Sequence, residues 1–236
     1  MRHNKSVRLI EYLKSHKIVN PYRVKNLMNK AISDIRLNLS GLTVLTEAAS
    51  GNYVVTPIIA ALAKAEKVFA ITRDSIYGKA TEVAELTLKF ARFYEIGDKI
   101  EVLFEKTPKI IHQADIVTNL GFVRPIDREF ISAMKNTAVI PLMCEPWEVR
   151  KDDVDLEACK KKGILCMGTD EDTPNLKVFD FVGPLCLKML FDAGFEVYQN
   201  NFLIISGDKF GKVIVNALKK KYGKCATNWV RTNYYR

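Results

Sequence analysis

The sequence is poor in the residues that nucleophilic and metal chemistry usually require. Three histidines, His3, His16 and His112, serve 236 residues, and two of them fall in the first sixteen positions. Neither a Cys–His nor a Ser–His–Asp apparatus has enough imidazole near its other members, and imidazole ligation of a metal has less support still. The five cysteines (Cys144, Cys159, Cys166, Cys186, Cys225) are odd in number and form no C-x-x-C pair. That excludes a disulfide framework and a structural zinc site, and leaves most of them as small core residues. No apolar run approaches the roughly 20 residues that span a bilayer, and the opening "MRHNKSVRLIEYLKSHK" has no apolar centre. The expectation is a cytoplasmic protein without a membrane partner. Only 12 glycines and 8 prolines occur, with no low-complexity tract and no repeat of fixed period.

What is present suffices for a large core, since 48% of the residues are hydrophobic. The net charge of +9 is unevenly distributed. Residues 1 to 36 and residues 212 to 236 each carry +7, whereas the body between them holds 20 basic against 25 acidic residues. A mildly acidic body with basic ends reads as solvated helix faces and tails, so nucleic acid is disfavoured as a partner.

Apolar side chains recur at helical spacing over residues 6 to 16 and 22 to 37, with Asn20-Pro21 between them as a helix start. From Leu42 the pattern changes to short apolar runs: "LTVLT", "KVFAIT", "KIEVLF", "ADIVTN", "TAVIPLM", "GILCMG" and "NFLIIS". Helical segments near 54 to 65, 79 to 95, 126 to 135, 153 to 161 and 176 to 193 alternate with them. Nearly continuous apolar strands joined by helical crossovers predict a doubly wound, mainly parallel α/β sheet of flavodoxin/Rossmann type, behind an N-terminal helical prelude. The expected division is a helical segment 1–40, a flavodoxin-like substrate domain 41–196, and the first β-α unit of a truncated Rossmann-like domain at 197–236.

In such sheets ligands bind outside the carboxyl ends of the strands. After the first strand, "TEAASGNYVVTP" offers Ser50 and Asn52, either as helix caps or beside backbone N–H groups that meet an anion. After the second, Arg73 in "TRDSIYG" can clamp a carboxylate or phosphate, or pair with Asp74 or Glu47. After the fourth, "TNLGFVRPID" supplies Asn119 and Arg124, as substrate contacts or as turn chemistry and surface charge. After the fifth, "MCEPWEVR" places Glu145 and Glu148 beside Trp147. An acid against an apolar ring can have its pKa raised toward neutrality, which makes this pair the candidate general acid and base, with helix-start charges as the alternative.

The helix "VGPLCLKMLFDAGFEV" followed by "NFLIISGDKFGKVIVNAL" resembles the two-domain NAD(P)-dependent proteins related to formate/glycerate dehydrogenases and adenosylhomocysteine hydrolase, with a weaker echo in "ASGNYVVTPIIAALAKAEKVFAITRDS". The resemblance covers residues 42 to 220. It implies an NAD(P)-dependent oxidoreductase-like protein acting on a small anionic metabolite, with NAD or NADP held at Ser206, Gly207, Gly211 and Lys212. A non-catalytic or regulatory small-ligand-binding domain of the same fold is the alternative, and a homodimer is compatible with either. Against the pattern G-x-G-x-x-G, Asp208 replaces the second glycine, and no acid follows it to hold a ribose. The expectation is therefore an incomplete cofactor domain that binds NAD or NADP weakly or not at all. An S-adenosylmethionine-dependent methyltransferase is less favoured, because "TEAASGN" lacks the glycine-rich first loop such enzymes show.

Overall fold

A computed structural model describes residues 2–16, 18, 20–174, 176, 178–219 and 225–229, with only the backbone at 2–8 and 225–229. The chain divides into two compact units, residues 1–169 and 170–236.

The first unit is built on six parallel strands: β1 (Thr43–Glu47), β2 (Lys67–Ile71), β3 (Ile100–Leu103), β4 (Ile116–Val117), β5 (Val139–Pro141) and β6 (Leu165–Met167). Their order across the sheet is β3-β2-β1-β4-β5-β6. The register runs Thr43 opposite Lys67, Val44 opposite Ile116, and Val139 opposite Leu165. This is the Rossmann order, in which winding reverses between β1 and β4, and not the 2-1-3-4-5 order of flavodoxin.

Alternate residues of each central strand enter opposite cores, which is why these strands read as unbroken apolar runs. Val44, Val68, Ala70 and Ile100 face one cluster, and Leu45, Phe69, Ile71, Val117 and Ile140 face the other. Against the first cluster pack α1 (Arg2–Ser15), α2 (Pro21–Asp34), α3 (Val55–Leu62) and α4 (Ala80–Phe93). In α4 the buried set Ala80, Val83, Ala84, Thr87, Phe90 and Ala91 follows the 3.6-residue period. Against the second pack α5 (Pro108–Gln113), α6 (Arg128–Ala133) and α7 (Leu156–Lys162). The prelude belongs to this unit: Leu13 and Met28 are buried, and the Tyr94 hydroxyl donates to the Pro21 carbonyl.

Helix starts follow local chemistry. Asn20, Thr107, Asp127 and Asp155 accept backbone N–H bonds from Arg23, Ile110, Phe130 and Ala158, with proline first in α2 and α5. Helix α7 closes at Gly163 in the left-handed region, φ 76°.

The second unit holds α8 (Val182–Asp192), β7 (Phe202–Ser206), α9 (Lys209–Lys219) and β8 (Cys225–Trp229), with β7 and β8 parallel. Two expectations change here. The helix expected over 176–193 starts at Val182, because Pro184 has no N–H and is tolerated in the first turn but not within a helix already under way. The sequence implies one β-α unit, whereas β8 completes a β-α-β unit, its "CATNW" too polar to read as a strand. Gly183 lets α8 approach α9 closely, since a Cβ there would lie 2.7 Å from that of Ala217.

Asp115 closes the seam between β1 and β4. Its carboxylate accepts from the Thr43 N–H at 2.8 Å and from Lys135 at 2.6 Å. Burial pushes this carboxyl up, but Lys135 and the Thr43 N–H outweigh it and hold it below the ordinary carboxylate range. A depressed pKa contributes stability above the unfolded-state value, and loses it as pH falls through the folded-state value. Asp115→Ala should cost about 1–3 kcal/mol at pH 7. Urea denaturation at pH 7 and again near pH 3 checks this: the deficit should shrink at the lower pH, and equal stability at pH 7 would contradict it.

Candidate functional site

At the β1/β4 reversal, adjacent loops leave the sheet toward opposite faces and a crevice opens between them. It encloses about 590 Å³, within the range of small-molecule sites. Its walls come from four strand ends: Glu47 and Ala49–Tyr53 after β1, Ser75 and Tyr77 after β2, Leu120–Phe122 and Arg124 after β4, and Met143 after β5.

Ser50, Asn52 and Arg124 line the crevice. Ser50 opens a short 3-10 turn, Gly51–Val54, but its hydroxyl caps no backbone N–H there. Arg73 stands beside the crevice and binds protein: Nη2 donates to the carbonyls of Gly121 (3.4 Å) and Arg124 (3.3 Å), and the guanidinium lies over the Phe122 ring. Neither ion pair considered for it forms; Asp74 accepts the Ala80 N–H at the start of α4. Asn119 is buried below the rim, where its side-chain oxygen accepts the Met143 N–H at 2.8 Å and holds the β5 loop.

Glu145 and Glu148 are not among the lining residues. Glu148 accepts the Glu145 N–H in a capping box around the turn Pro146–Glu148. Trp147 is 79% exposed, so the apolar wall that would have tuned these acids is missing. The turn is held from below: a Cβ on Gly168 would come within 2.4 Å of the Pro146 ring, so only glycine fits.

The residue that sequence reasoning undervalued is Glu47. It ends β1, is 6% exposed and lines the crevice, and Oε2 accepts the Phe122 N–H at 3.1 Å. Among the described residues it forms no ion pair. The available signal was an acid closing an otherwise apolar strand, "TVLTE".

The loop carrying Gly121 to Pro125 is clamped by cations. Besides Arg73, Lys106 donates to the carbonyls of Val123 (2.6 Å) and Pro125 (2.9 Å), and Arg124 Nη1 pairs with Asp153 at 2.6 Å. Burial, with Arg73 nearby, pushes the Lys106 ammonium below the ordinary lysine value.

In the second unit, Ser206 ends β7 and Gly207 follows it, and Gly211 is buried in α9 beside Lys212. The Asp208 carboxylate accepts the Ser206 hydroxyl at 2.8 Å and the Phe210 N–H at 3.0 Å. It therefore occupies the α9 N-terminus, where a cofactor phosphate would be received.

No protein-family model and no curated protein matches this chain. Among solved structures it is similar to a dipicolinate synthase chain from Bacillus halodurans, with TM-score 0.50 and 11% identity over 80% of this chain and 62% of that one. It also matches shikimate 5-dehydrogenase from Listeria monocytogenes, solved with shikimate and NAD, with TM-score 0.43 and 14% identity over 59% and 49%. The chain thus spans about three fifths of the length of the dipicolinate synthase chain. At 11% identity the likeness to the dipicolinate synthase chain is one of fold.

Lys106→Met removes the partner of two loop carbonyls and should cost about 1–3 kcal/mol. Denaturant unfolding checks it, and a change below about 0.3 kcal/mol would show that the loop does not depend on this clamp.

Proposed function

We propose that the chain is a small-molecule-binding Rossmann protein, dehydrogenase-like in fold, whose ligand occupies the β1/β4 crevice of the first unit. The observation that carries this reading is the concentration there of Glu47, the Ser50–Asn52 backbone, Gly121 and Arg124 around one cavity. Arg124 keeps Nη2 toward Gly121 while Nη1 holds Asp153, so it suits the carboxylate of a small metabolite.

The nicotinamide dinucleotide implied by the fold does not fit the Ser206–Lys212 turn. Asp208 already satisfies the helix N-terminus, and its charge would face a pyrophosphate. No reaction step is derived through that cofactor. If the crevice is catalytic, Glu47 is the acid positioned to exchange a proton with its contents, in place of Glu145 and Glu148. Non-catalytic ligand binding is the second reading, favoured by the capping role of Glu148.

Calorimetric titration with NAD and NADP, beside an Asp208→Gly variant, tests the cofactor part. The unaltered chain should bind both with Kd above about 1 mM, and the variant at least tenfold more tightly, about 1.4 kcal/mol. Micromolar binding by the unaltered chain would overturn the reading and restore NAD(P)-dependent oxidation as the function.

A further inference from the structure

Glu47 and Arg124 both approach one point of the crevice wall, at Gly121. A Cβ built on Gly121 would lie 3.4 Å from Glu47 Oε2 and 3.9 Å from Arg124 Nη2. The two side chains nonetheless do not pair with each other: Arg124 binds Asp153 through Nη1, and Glu47 binds the Phe122 N–H. Glu47 accepts this one hydrogen bond and, with about four lone-pair positions on a carboxylate, keeps acceptor capacity toward the crevice. A guanidinium edge directed at the same place has unused donors. Among the described residues nothing from the protein reconciles the two.

A ligand group carrying both charges does so. The ammonium nitrogen and carboxylate oxygens of an α-amino acid sit about 3 Å apart, because the nitrogen is bonded to Cα and the oxygens are joined to the same Cα through one carbon. Placed above Gly121, the ammonium donates to Glu47 and the carboxylate accepts from Arg124, and each protein charge is paired without moving the other. A Cβ at position 121 would already be in van der Waals contact with both groups, so a branched side chain there would fill the space beside them. Resting on the reading that the crevice is the ligand site, we propose that Glu47 and Arg124 form a subsite for the zwitterionic α-amino-acid head of the ligand. Such a head belongs either to a free amino acid or to the amino-acid end of a larger molecule such as an adenosyl amino acid, whose α-ammonium and α-carboxylate are both free. The cavity of about 590 Å³ extends past this subsite to Tyr53 and Tyr77, leaving room for a larger body.

The arrangement also sets a direction of discrimination. An anion lacking the ammonium would meet Arg124 but be repelled by Glu47, and an amine lacking the carboxylate would meet the reverse. A site that hydrogen-bonds a group rejects the analogue without it strongly, because the buried partner is then left unpaired.

The test is calorimetry on the full chain with S-adenosylhomocysteine, 5′-methylthioadenosine, L-methionine and 4-(methylthio)butanoate. These separate an adenosyl source from a free amino acid, and in each pair the zwitterion is present in one compound only. At least one zwitterion should bind tenfold or more tightly than its partner lacking the head. Glu47→Gln, which keeps shape and removes the charge, should reduce that preference to threefold or less. Gly121→Val should abolish binding of the zwitterion while thermal unfolding shows the variant folded. Equal affinity within each pair, tighter binding of the butanoate, or an undiminished preference in Glu47→Gln would overturn the subsite. If uncharged ligands bind and Gly121→Val blocks them, the crevice reading survives and this inference alone fails. If no probe binds, the subsite is refuted for both sources; binding that Gly121→Val leaves unchanged removes the crevice reading as well.

Discussion

The reversal of winding between β1 and β4 is the constraint on which the first unit depends. Strands on either side of it send their crossovers to opposite faces, so no helix covers the seam at the carboxyl edge. The same seam needs closing lower down, where β4 is only two residues long. Asp115 does this by binding the Thr43 N–H across the strand pair while Lys135 compensates its charge. The crevice and the tie beneath it are two consequences of one topological step.

The loop following β4 carries much of the crevice wall, and its backbone carbonyls are met by side chains rather than by a ladder. Arg73 and Lys106 reach across from the β2 and β3 ends to hold Gly121, Val123, Arg124 and Pro125. Residues that looked like anion receptors in sequence thus become the means by which the wall is fixed. The cost is that Arg73 is not presented to a ligand as a free fork. The gain is that the loop bonds hold Gly121 and Arg124 beside Glu47.

The periodicity of the chain disclosed the sheet, because strands buried on both faces are mostly apolar or β-branched, as "KVFAI" and "TVLTE" are. It also disclosed the prelude, whose helical spacing buries Leu13 and Met28. Strand order was not legible, since a crossover reads the same whether it goes left or right. The site was legible in part. Strand-end loops pointed to Ser50, Asn52 and Arg124, which line the crevice, but the side-chain partners of Arg73, Asn119 and Glu148 are fixed by tertiary geometry alone. Trp147 misled because an aromatic next to two acids suggests burial, whereas this one stands in solvent. Glu47 was weighed only as a partner for Arg73, because a single acid at a strand end carries no motif. β8 escaped notice because its Asn and Thr content hides a strand.

The central claim is that ligand enters the crevice of the first unit and not the β7–α9 turn of the second. Backbone amide NMR of the isotopically labelled chain, titrated with a low-molecular-mass metabolite extract, addresses it most directly. The account predicts that the amides of Ser50–Tyr53 and Leu120–Arg124 move first and furthest, with those of Ser206–Lys212 unchanged. Shifts concentrated at Ser206–Lys212, with the crevice amides still, would contradict it.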